Sequence, residues 1–76
     1  MERVELLWTD ETGTPRIVPG TLEDKSRIGV SIRVKEAIVV GSVLEVKTPS
    51  EQFSGIVTNC RLDGTEYVAG IRRENT

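Results

Sequence analysis

The chain contains no histidine, one cysteine, one tryptophan, one tyrosine and one phenylalanine in 76 residues. Without histidine, the commonest general base and the commonest metal ligand are both missing. The lone Cys60 closes no internal disulfide and builds no zinc cluster. It has no histidine to activate it as a nucleophile, so it reads as a small buried hydrophobe. Three aromatics are too few for a stacking groove on single-stranded nucleic acid, and Trp8 reads as core or barrel-end packing. Neither sign of charge dominates. Ten basic and twelve acidic residues leave a formal net charge of -2, which gives no pull toward DNA, RNA or anionic lipid. No apolar run approaches the roughly 18–20 residues of a membrane span. The start, Met1-Glu2-Arg3-Val4-Glu5, is not a secretory signal, so the expected location is the cytoplasm. These absences point away from an enzyme, a metal site and a cofactor.

What is present is alternation. Hydrophobic residues make up 37% of the chain and charged residues 29%, ordinary for one folded domain. The length allows one small core. The expected domain is 1–76, with a barrel over about 3–73 and a frayed tail at 74–76. Val4 and Leu6 alternate with charged positions, predicting a strand over 3–9. Thr9 to Thr14 is polar, with a glycine, and fits a hairpin loop. An extended run from Pro15 to about Glu23 contains Pro19, so it is expected at a sheet edge or with a bulge. Asp24 to Gly29 reads as a polar connector.

Val30, Ile32 and Val34 then alternate with Ser31, Arg33 and Lys35, the clearest strand in the chain. Glu36 to Gly41 is too short for a helix and reads as a loop or single turn with Ile38 packed inward. Leu44 and Val46 share one face of a strand over 42–48. A strand over 51–62 carries Phe53, Ile56, Val57 and Cys60, and the spacing from Val57 to Cys60 predicts a bulge near Thr58-Asn59. Asp63-Gly64 predicts a two-residue type I′ turn. In the last strand Tyr67, Ala69 and Ile71 face one way, and Glu66, Val68, Gly70 and Arg72 the other. Six short antiparallel strands without a helix leave one apolar face and two edges to cover. Closure into a small all-β barrel covers both. Its core is expected to enclose Val30, Ile32, Leu44, Val46, Val57, Ala69 and Ile71.

One segment carries more than strand pattern. Asp24-Lys25-Ser26-Arg27-Ile28-Gly29 has the form D-x-S-x-x-G between two strands. Asp and Ser side chains hold tight connections by bonding backbone donors, and Gly29 is expected at positive φ. Four further pieces follow in order. They are the strand Val30–Val34, the apolar segment Ile38-Val39-Val40-Gly41 leading into a strand, the F-x-G-x-V-x-x-C run Phe53–Cys60, and the closing Tyr67-Val68-Ala69-Gly70-Ile71. From Gly20 to about Ile71 the chain resembles the PilZ family. That resemblance implies a six-stranded barrel of split-barrel type and a non-catalytic receptor for the bacterial second messenger cyclic diguanylate (cyclic di-GMP).

The resemblance implies that Asp24, Ser26 and Gly29 form one part of the ligand site. The family's other part is an R-x-x-x-R segment ahead of the first strand, whose arginines clamp phosphates and stack on guanines. This sequence contains no R-x-x-x-R. Arg3 lies near where the second arginine would fall, and the strand pattern around Trp8 favours reading it instead as surface charge of the first strand. Arg27 sits inside the turn, close to any ligand there. Two functions stay open: a cyclic di-GMP sensor, and a barrel that has lost the messenger and binds a protein partner. A barrel of SH3-like or oligonucleotide-binding type would need an aromatic-rich or basic face that this sequence lacks.

Overall fold

Alternating side chains send every second residue of each strand to the same side, and in this protein those sides converge on one axis. A computed structural model describes residues 2–74. Its strands are β1 (Arg3–Thr9), β2 (Pro15–Lys25), β3 (Gly29–Val34), β4 (Val43–Lys47), β5 (Gln52–Asp63) and β6 (Glu66–Arg73). All neighbouring pairs are antiparallel, and the sheet closes in the order β1-β2-β3-β6-β5-β4. No helix occurs among the described residues, so none there is long and apolar enough to cross a membrane. The seven expected core residues are all buried, joined by Val4, Leu6, Val18, Leu22, Val34 and Ile38. Ile38 points inward from the connector between β3 and β4, as its apolar neighbours implied.

Several local details depart from expectation. Pro19 does not mark an edge, since β2 pairs on both sides. The ladder to β3 begins only at Gly20↔Val34, so the missing N–H of Pro19 falls where no β3 partner exists. The other alternative holds: β2 carries a bulge, at Glu23, between Leu22 and Asp24. The expected β5 bulge is present, with Thr58 as the extra residue between Val57 and Asn59. The β5–β6 hairpin closes at Asp63↔Glu66, so its central residues are Gly64-Thr65 rather than Asp63-Gly64. Gly64 has φ of 69° and no non-glycine residue among the described residues has positive φ, which is the pattern of a type II′ turn.

Cys60 is half-buried at the core margin, with Trp8, Phe53 and Tyr67. The frayed tail expected at 74–76 falls, for 75 and 76, outside the described residues, and the Glu74 N–H donates to the Ser54 carbonyl at 3.0 Å. Val68 lies on the outer face yet is buried. Its β3 neighbour in register, Arg33, holds Asp63 on β5 at 2.8 Å and Glu23 on β2 at 3.1 Å.

Candidate ligand groove at the β2–β3 turn

The D-x-S-x-x-G segment is shorter as a connector than its composition suggested. Asp24 and Lys25 end β2 and Gly29 opens β3, leaving a three-residue turn. The Ser26 N–H donates to the Gly29 carbonyl at 2.8 Å. The Ser26 hydroxyl accepts from the N–H groups of Ile28 (3.2 Å) and Gly29 (3.3 Å) and donates to the Gly29 carbonyl (3.3 Å). Its bonding capacity is therefore spent on backbone, and Ser26 shapes the turn rather than offering a free hydroxyl. The Asp24 carboxylate accepts from the Lys25 N–H through one oxygen at 2.9 Å, which leaves its second oxygen for a ligand.

Gly29 is not at positive φ, contrary to expectation. Its requirement is closeness: a Cβ there would fall on the Ile71 carbonyl oxygen and lie 3.0 Å from the Arg72 Cα. Glycine is needed because β3 and β6 run together at this point, and a side chain would hold them apart.

Around this turn the outer face is hollow. Asp24 pairs with Ser31, Ser31 with Gly70 and Gly70 with Asn59, in one row across β2, β3, β6 and β5, and the Asn59 side chain fills the place that a side chain on Gly70 would take. Asp24, Ser26, Gly29, Ser31, Thr58, Gly70 and Arg72 line an open groove of about 270 Å³. Thr58, the bulged residue, donates its hydroxyl to the Gly70 carbonyl at 3.2 Å and forms the far wall.

The structure brings Asp24, Ser26 and Gly29 together and leaves Arg3 apart. Arg3 pairs with Thr21 and lines separate hollows beside Pro19. Arg27 stands at the tip of the turn, in a recess shared with Ile28, Arg72 and Arg73. Sequence reasoning placed Gly70 and Arg72 on the outer face but not beside the turn. The signal that joins them is the β3–β6 register, Gly29↔Arg72, which no local pattern carries.

Glu51 anchors the neighbouring cations. Both Arg73 terminal nitrogens donate to its carboxylate, at 3.1 and 3.0 Å, and Lys25 reaches it at 3.0 Å. The Arg73 guanidinium also lies 3.9 Å from the centre of the Phe53 ring. Hydrogen bonds from Arg73 first, and Lys25 second, hold the Glu51 carboxyl down to about 2, against an ordinary value of 4.5. A depressed carboxyl stabilises the fold above its unfolded value, and that contribution disappears as pH falls through the folded one. Glu51→Gln should therefore lower the melting temperature at pH 6, and the gap to wild type should shrink as pH falls from 4.5 toward 2. Melting both proteins across that range checks this. A gap that persists at pH 2 would mean that the carboxylate charge is not the cause.

Comparison of the chain with family models, with curated proteins and with solved structures gives no match.

Proposed function

We propose that this chain is a PilZ-type module of a cytoplasmic signalling protein, and that it binds cyclic diguanylate without catalysis in the groove beside the β2–β3 turn. The observation that carries this reading is the turn itself. Ser26 is consumed in fixing the D-x-S-x-x-G backbone, and Asp24 keeps a carboxylate oxygen without a partner beside the groove it lines. A carboxylate suits the paired N–H donors along a guanine edge. The groove is smaller than most enclosed ligand pockets, so the dinucleotide would lie on the barrel surface.

The missing R-x-x-x-R sets the expected strength. Each charge-assisted hydrogen bond contributes about 1.5–3 kcal/mol, and each 1.4 kcal/mol is about tenfold in affinity. Calorimetric titration of the chain with cyclic diguanylate at moderate salt should give saturable binding with a Kd of about 10–1000 µM. Asp24→Asn should weaken it further. No heat at millimolar ligand would overturn the reading.

A second reading has its own support. Val39 and Val40 in the β3–β4 connector and Val43 at the start of β4 are more than half exposed. With the messenger lost, the barrel would serve as a protein-interaction domain, and the failed titration would favour it.

A further inference from the structure

Four cations meet around the β2–β3 turn, and one carboxylate accounts for two of them. Lys25 and Arg73 are held by Glu51. Arg27 and Arg72 form no ion pair and no side-chain hydrogen bond among the described residues, although both line the same recess. Their placement is built by the fold. The Arg73 N–H donates to the Ile28 carbonyl at 2.8 Å, which ties the tip of the turn to the end of β6. Arg72 pairs with Gly29, where β3 and β6 run close together, so the fold sets Arg72 beside the turn. Arg73, one residue on, projects to the opposite side of the strand toward Glu51 and Phe53.

Two uncompensated guanidiniums facing one recess repel each other, in a protein whose net charge is -2. A phosphate oxyanion relieves that repulsion and matches the forked donors of both side chains. We infer that Arg27 and Arg72 form a phosphate clamp, for a phosphate or phosphodiester group of a nucleotide. Arg72 also borders the groove that Asp24 lines, so the clamp and the Asp24 carboxylate sit side by side. The inference rests on the proposed reading for the base that accompanies the phosphate, but not for the phosphate itself.

The test uses the full chain and two probes, inorganic pyrophosphate and cyclic diguanylate, followed by the amide resonances of Ile28 and Arg73. The variants are Arg27→Gln, Arg72→Gln and, as a control, Arg61→Gln. Arg61 is also an exposed arginine without an ion pair among the described residues. It pairs with Val68, four positions along β6 from Arg72, which is about 13 Å away. Pyrophosphate should bind saturably. Arg27→Gln and Arg72→Gln should each weaken it about tenfold or more, and Arg61→Gln less than about twofold, at unchanged melting temperature.

Equal losses in all three variants, or shifts that never saturate, would overturn the clamp. Cyclic diguanylate binding that is unaffected by Arg27→Gln and Arg72→Gln would also overturn it while leaving the proposed function standing. Pyrophosphate binding with the expected variant pattern, with no binding of cyclic diguanylate at millimolar concentration, would keep the clamp and remove the dinucleotide reading.

Discussion

Ile32→Ala should bring the domain close to unfolding at room temperature. Ile32 is fully buried on β3, with Leu22 and Ala69 as its partners on the two flanking strands. Truncating a buried isoleucine to alanine costs about 2–5 kcal/mol, and the cost rises with the cavity that remains. In this barrel the cavity is hard to collapse. Every strand is hydrogen-bonded on both sides around a closed ring, so no layer can slide inward alone. A chain of this length has a total stability of only about 4–11 kcal/mol. Urea denaturation should show a midpoint shifted far toward zero. Ile17→Ala, at an aliphatic residue 62% exposed, should change stability by less than about 0.5 kcal/mol. If Ile32→Ala costs under about 1 kcal/mol, then the core is not packed around this residue.

The ease of choosing Ile32 from the sequence, and the difficulty of choosing Arg72, have one cause. Alternation is a local property. In β3 the burial of Val30, Ile32 and Val34 against Ser31 and Arg33 follows from the pleat alone, and strand period is enough to find it. The bulge at Thr58 is similarly local, because an extra residue breaks the apolar spacing where it occurs. The bulge at Glu23 left no such mark, since Glu23, Asp24 and Lys25 are all polar.

Cross-strand register is not local. Which residues stand beside the turn depends on Gly29 meeting Arg72, 43 positions further along the chain, and on the ring closing as it does. The charge pattern on the outer face has the same origin. Arg33 on β3 pairs with Glu23 on β2 and Asp63 on β5, a contact between three strands that no window of sequence contains. Asp24, Ser26 and Gly29 were legible because the turn holds them within six residues. The arginines that complete their surroundings were not.

Gly29→Ala should be the most damaging of the conservative substitutions, for a reason the motif alone does not reveal. Were Gly29 present to allow positive φ, asparagine, which tolerates the left-handed region, would be a mild replacement. Its φ is not positive, and the obstacle to a side chain is the Ile71 carbonyl with the Arg72 Cα behind it. Backbone atoms in a paired strand cannot swing aside as a flexible side chain can. The end of β3 must part from β6. That strains the Ser26–Gly29 closure and the bond between the Arg73 N–H and the Ile28 carbonyl.

Overpacking of this kind costs about 1–3 kcal/mol, and each lost backbone bond about 0.5–1.5 kcal/mol more. A total near 3 kcal/mol corresponds to a melting temperature lowered by roughly 15 °C. Gly29→Asn should be at least as harmful as Gly29→Ala. Gly64 supplies the contrast. It has φ of 69° and open space around its Cβ position, so Gly64→Asn should be mild and Gly64→Ala cost about 1–2 kcal/mol. If Gly29→Ala melts within about 2 °C of wild type, the close approach of β3 and β6 is wrong. The same geometry governs how binding data on this turn are interpreted. A Gly29 variant disturbs the recess between Arg27 and Arg72 by moving β3, so lost phosphate binding in that variant reports strand separation rather than contact between Gly29 and a ligand.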